Sequence, residues 1–247
     1  MHKLEAFIVS FNCLDLLSIT LPRNLPELDS VIIITKEEDK ETINYCRSLQ
    51  DSKISIFVTD AFTFDNAAFN KGLAIAQAFT ISKFKDFLIT QDTDIILPRN
   101  FKRDFLALNP NIEKFYGLRR VNLDTKQDLD DLDSGVKRLE DFICYRGSGY
   151  GYFSIVNYNS TTYQKLLKEW NGFGYPFWVK EAREIDWIWR AKWGERVFDP
   201  PLTKFPECHF ETNKDYDTGM YEELPFRCIH LGLPGRNHET RTTDKFV

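Results

Sequence analysis

The 247 residues include 43% hydrophobic and 15% aromatic residues, enough to fill a sizeable packed core, and the length fits one large domain. A formal net charge of -5 argues against a general nucleic-acid surface. No apolar segment approaches the roughly 20 residues that span a bilayer, and Glu5 stands where a signal peptide would be apolar, so the expectation is a cytoplasmic protein with peripheral membrane association left open. Cys13, Cys46, Cys144, Cys208 and Cys228 are odd in number and widely spread, which suits reduced thiols better than a disulfide framework or a zinc site.

Leu4–Ser10 is an apolar run of strand formers, and a polar loop is expected after it because Pro22 and Pro26 interrupt helix. Val31–Ile34 is apolar throughout, as in a strand buried on both faces, and ends at Thr35. Glu38–Leu49 places Ile43, Cys46 and Leu49 at helical intervals. Ile54–Val58 is a third strand ending near Asp60, and Asn66–Phe84 is a long alanine-rich helix. The fourth strand begins at Phe87 and runs into Asp92-Thr93-Asp94 before Ile95-Ile96-Leu97-Pro98. Strands separated by helical patterns imply right-handed crossovers and an α/β fold with a mostly parallel sheet, whose ligands sit outside the carboxyl ends of the strands. Ser10, Phe11, Asn12, Thr35, Asp60, Asp92 and Asp94 all fall at such ends.

In an extended chain, Asp92 and Asp94 point to the same side, where two carboxylates repel unless a cation or shared proton separates them. A hard divalent metal fits that position, although an Asx-rich turn has the same spacing. Farther on, Phe101–Leu108 reads as a helix and Lys114–Leu118 as a strand, while Asn122–Glu140, rich in aspartate, reads as a mobile surface loop. Gly147–Phe153 alternates glycines with polar or aromatic residues, suiting either a close ligand or a bulge. Asn159–Trp170 and Glu181–Trp193 read as helices. In the second, Glu184 and Asp186 enter a surface rich in tryptophan, where desolvation raises a carboxyl pKa towards that of a general base. Cys228–Gly232 delivers His230 on a short strand, followed by basic residues including Arg236 that suit a diphosphate.

Phe69-Asn70-Lys71-Gly72, the following helix and strand, and Asp92-Thr93-Asp94 with its apolar continuation to Pro98 resemble the GT-A class of nucleotide-sugar-dependent glycosyltransferases. The likeness is to family 2 enzymes and the β-1,4-galactosyltransferases. It implies one GT-A domain over 1–247, with a nucleotide-binding half at 1–98 and an acceptor-binding half at 99–247. It also implies Mn2+, or Mg2+, held by Asp94 and His230, with Asp92 as a further ligand or a ribose contact. The donor would be a nucleotide sugar, a UDP-sugar first, and the acceptor a hydroxyl of a glycan or glycoconjugate. Ser10, Phe11, Asn12, Thr35, Asp60, Asn70, Lys71 and Arg236 would line the nucleotide site. Arg183-Glu184-Ile185-Asp186-Trp187-Ile188-Trp189-Arg190 is similar to the helix supplying the base of inverting members, which makes Glu184 and Asp186 the candidates for that role. Two rivals stay open. A nucleotidyltransferase would carry a Gly-rich, basic loop after the first strand, where Asn12-Cys13-Leu14-Asp15 has neither glycine nor base. A non-catalytic nucleotide-sugar or glycan-binding module would keep the fold without the chemistry.

Overall fold

The computed structural model describes residues 2–67, 69–142, 144–145, 153–175, 193 and 221–231. Hydrophobic runs of five or six residues give β1 (Leu4–Val9), β2 (Ser30–Thr35), β3 (Ile54–Val58) and β4 (Phe87–Asp92). These four lie side by side, all parallel, in the order β3-β2-β1-β4. The sheet continues through β8 (Phe153–Asn157), β6 (Phe115–Leu123), β9 (Tyr221–Leu231) and β5 (Ile95–Ile96). The short β7 (Cys144–Tyr145) pairs with the upper part of β6. Because β8 is antiparallel to both β4 and β6, while β9 is parallel to β6, the directions of β1–β4, β6 and β9 agree. The fold is therefore α/β with a mixed, mostly parallel sheet, as expected.

Period-two alternation splits β1 and β2 between two cores. Leu4, Ala6, Ile8, Val31 and Ile33 face α1 (Leu14–Asn24), α2 (Lys40–Ser48) and α4 (Phe101–Ala107) through Leu17, Leu21, Cys46, Phe101 and Phe105. Phe7, Val9, Ile32 and Ile34 face α3 (Lys71–Phe79) and α6 (Thr161–Glu169) through Ile75, Phe79, Tyr163 and Leu166. Both faces of β1 and β2 are thus covered by helices, which is why these strands are mostly apolar. Burial, with Asp39 adding to it, pushes the Cys46 thiol up to about 11, so this cysteine stays protonated. No helix of the described residues is long and apolar enough to cross a membrane.

Three local expectations are corrected. The segment after β1 is helix α1 despite Pro22. The carbonyl that the missing Pro22 amide leaves without its helical donor, that of Ser18, lies 3.4 Å from the Tyr45 hydroxyl, and Leu16, Leu17, Thr20, Leu21 and Asn24 bury one side of the helix. The aspartate-rich tract contains α5 (Lys126–Asp133), opened by a Thr125/Asp128 capping box and tied at its end by Lys137 to Asp128 (2.9 Å) and Asp131 (3.0 Å). The Thr125 cap and the Lys137 ammonium offset part of the acidic excess, which lets that segment fold on the surface. The alanine-rich helix is shorter than expected. Asn70 caps α3 by accepting from the Leu73 amide at 2.9 Å, and the residues before it form a 3-10 stretch, Ala61–Asn66, kinked at Phe64 and Asp65.

Candidate functional site

The carboxyl ends of the parallel strands gather at one edge, and the turn after β4 is its centre. β4 stops at Asp92, and Thr93-Asp94 turns the chain into β5, so the extended period-two geometry expected for the two carboxylates ends there. Instead they meet different partners. Asp92 Oδ1 lies 2.6 Å from Lys71 Nζ at the start of α3, and Asp94 Oδ2 lies 3.3 Å from His230 Nε2 near the end of β9. The Asp94 and His230 side chains are buried, as is that of Lys71, while Asp92 is a third exposed.

Helix α1 fixes this turn. Thr20 Oγ1 donates to the Thr93 carbonyl at 2.6 Å, Asn24 Nδ2 donates to the Ile95 carbonyl at 2.7 Å, and the Leu97 amide donates to Asn24 Oδ1 at 2.8 Å. Gln91 Nε2 also donates to the Ile95 carbonyl at 2.9 Å, and the Thr93 hydroxyl donates to the Val9 carbonyl. The Leu231 amide donates to the Asp94 carbonyl at 2.9 Å, which joins the turn to β9 beside His230.

The other expected residues lie along the same edge. Ser10 is buried and its amide donates to the Ile34 carbonyl. Phe11 stacks near Phe62, centroids 6.0 Å apart, and Phe62 on Phe69 at 5.2 Å, while Lys36 Nζ stands 5.2 Å from the Phe11 centroid. Asn12 adopts a left-handed φ of 54°, and its amide donates to Asp39 Oδ2, as does the Thr35 hydroxyl. Asp39 also caps α2 through the Thr42 amide, so it organises the β1 and β2 ends together. The sequence reading missed it; the available signal was its position as an N-cap before Lys40. Asp60 occupies the N-cap position of the 3-10 stretch after β3, with no side-chain bond to it. Glu184, Asp186 and Arg236 lie outside the described residues.

Asp94 and His230 offer one carboxylate and one imidazole, the donor chemistry of Mn2+ or Mg2+ sites that draw on substrate oxygens. Among the described residues no three His, Cys, Asp or Glu side chains gather as a metal set. A divalent ion at this pair would therefore take further ligands from phosphate oxygens or water. The residues fit that arrangement and do not fit a closed, all-protein cage.

No protein-family model matches the chain, and no curated protein matches it in sequence. Among solved structures it is similar to galactosyltransferase LgtC in complex with donor and acceptor sugar analogs, at 8% identity and a TM-score of 0.43, covering 98% of this chain and 93% of that one. It is also similar to the mannosyltransferase PcManGT from Pyrobaculum calidifontis in complex with GDP-Man and Mn2+, at 14% identity and 0.42, covering 73% and 50%. A putative glucose-1-phosphate thymidylyltransferase from Bacillus anthracis matches at 11% identity and 0.45, covering 91% and 88%. These identities and TM-scores decide no chemistry, and the reading of function rests on the residues at the sheet edge.

Proposed function

We propose that the chain is a GT-A glycosyltransferase that moves a sugar from a nucleotide-diphosphate sugar, a UDP-sugar first, to a hydroxyl of a glycan or glycoconjugate. The observation that carries this reading is the juxtaposition, on one turn at the carboxyl edge, of a buried carboxylate–imidazole pair with a carboxylate–lysine pair. Asp94 and His230 would hold the divalent ion, which when bound supplies positive charge opposite the departing diphosphate. Lys71 adds a second cation at the same turn, and a diphosphate arriving there would compete with Asp92 for it. Ser10, Phe11, Asn12, Thr35 and Asp60 stand where a nucleoside would sit over β1–β3. Glu184 is the proposed base for the acceptor hydroxyl, with Asp186 as an acceptor-binding or structural carboxylate and Arg236 beside the diphosphate.

The start of α1 favours transfer of the sugar over transfer of a nucleotidyl group. A triphosphate cradle needs glycine, a basic side chain and a receptive helix N-terminus after β1. Here only Ser10–Cys13 separate β1 from α1, and the first turn of the helix carries Asp15.

Incubation of UDP-glucose, UDP-galactose and GDP-mannose with Mn2+ and a panel of glycan acceptors tests the reading. Release of nucleoside diphosphate is expected, with Glu184→Gln reducing turnover by orders of magnitude at retained donor affinity. Formation of pyrophosphate from a sugar 1-phosphate and a nucleoside triphosphate would instead make the protein a nucleotidyltransferase. Donor binding without turnover on any acceptor would point to the non-catalytic module.

A further inference from the structure

Asn122, the penultimate residue of β6, stands in direct register with His230 of β9, so the two side chains share a face of the sheet. Val121, Leu123 and Leu231, which alternate with them, enter the separate cluster of Leu16, Ile96 and Leu129. Asn122 is only 9% exposed, and neither its Nδ2 nor its Oδ1 has a hydrogen-bond partner.

The other buried asparagines of the described residues are all engaged. Asn24 uses both ends of its amide on the β5 backbone, Asn70 caps α3, and Asn157 accepts from the Asn159 amide and donates to Asp86. A buried carboxamide unmatched at both ends costs stability, and a core position flanked by Val121 and Leu123 would be filled better by a leucine. Its place beside His230, one residue from the carboxyl end of β6, brings it within reach of a group seated over the strand ends.

The ligand's chemistry follows from what the amide lacks. Phosphate oxygens at neutral pH only accept, so a phosphate could satisfy Nδ2 and would leave Oδ1 unmatched. A hydroxyl both donates and accepts, and neighbouring sugar hydroxyls can satisfy both atoms at once. We infer that Asn122 is a binding residue for hydroxyl groups of the sugar carried by the nucleotide donor; this inference rests on the proposed function above.

Calorimetric titration of UDP, UDP-glucose and UDP-galactose into the Mn2+-loaded protein, for wild type, Asn122→Leu and Asn122→Ala, tests it, with a melting curve for each ligand-free protein. The expected result is a melting temperature for Asn122→Leu equal to or above that of wild type. Affinity for at least one UDP-sugar should fall about tenfold or more in both variants, while affinity for UDP stays within about twofold. Equal losses for UDP and UDP-sugar would move the contact to the nucleoside diphosphate and overturn the inference. Unchanged affinity for every sugar nucleotide would also overturn it, as would a large fall in melting temperature in both variants, which would mean that the amide is bonded within the fold. Wild-type protein that binds UDP yet gains nothing from any attached sugar would defeat the inference alone, whereas wild-type protein that binds none of the three would defeat the UDP-sugar form of the proposed function and the inference with it.

Discussion

Lys71 is the first residue of α3, where the helix dipole already presents its positive end, and its side chain is almost wholly buried. An ammonium in that position needs a carboxylate beside it, and Asp92 supplies one at 2.6 Å. The two partners are unequal, since Asp92 is one-third exposed and can be hydrated without Lys71. Asp92→Asn, which takes a charged partner 2.6 Å away from the buried cation, should therefore cost about 1–3 kcal/mol, and Lys71→Met less than about 1. Urea unfolding of the two variants measures this, and equal losses would mean that the pair is solvated alike at both ends. At this scale the sequence made Asp92, Asp94, Lys71 and His230 legible, because charges bordering apolar runs stand out. It did not reveal Asp39 or Asn122, since an aspartate in an acidic stretch and an asparagine at a strand end look ordinary until their partners, or lack of them, are seen. It offered a turn at Asp92-Thr93-Asp94 only as the alternative to an extended chain, whereas the chain does turn after Asp92, which separates the partners of the two aspartates.

Helix α1 shows how an element can be hidden by one residue. Pro22 carries a strong breaker signal, and the sequence reading placed a loop there. The helix persists because its buried side packs Leu17 and Leu21 into the core and uses Thr20 and Asn24 to hold the turn that carries Asp94. Tertiary contacts outweigh the local penalty. Asn24→Ala would leave the buried Leu97 amide without its partner and the Ile95 carbonyl with Gln91 Nε2 as its side-chain donor, so a loss of about 1–3 kcal/mol in denaturant unfolding is expected. The same variant should weaken metal-dependent nucleotide binding even though Asn24 is fully buried, because the Asp94 turn would no longer be fixed. Retained affinity together with the stability loss would show that the turn holds its shape without α1. The aspartate-rich α5 was missed for a related reason: the counted charges were acidic, whereas the fold uses Lys137 and the Thr125 cap to compensate them.

Across the whole molecule, the strand order β3-β2-β1-β4 puts successive strand ends in one line, and this much of the architecture was legible because parallel strands buried on both faces leave long apolar runs. The far half was less legible. It depends on β6–β9 pairing between segments about a hundred residues apart, which no local pattern encodes. At the opposite edge Asp29 ties the sheet to α4, accepting from the Leu4 amide (2.9 Å), Lys3 Nζ (3.0 Å) and Lys102 Nζ (2.6 Å). Burial alone would raise its carboxyl pKa, but the hydrogen bonds from Lys102, Leu4 and Lys3 outweigh burial and hold it below the ordinary value. A carboxyl depressed in the folded state stabilises above its unfolded pKa of about 4, and that contribution is lost as pH falls through the folded value. Asp29→Asn should therefore lower stability at neutral pH and lose less on acidification than wild type does. Thermal unfolding from pH 7 to 2 checks this, and parallel curves for the two proteins would contradict it.

In the proposed function, Asp94 and His230 hold a divalent ion on a nucleotide diphosphate at the carboxyl edge of the sheet. It is tested most directly by calorimetric titration of UDP-glucose, UDP-galactose and GDP-mannose into wild type and Asp94→Asn, each with Mn2+ and with EDTA, alongside a melting curve to verify folding. Wild type is expected to bind at least one of these ligands in a manner that needs Mn2+ and disappears in the folded Asp94→Asn protein. Affinity that is the same with EDTA, or the same in Asp94→Asn, would contradict it.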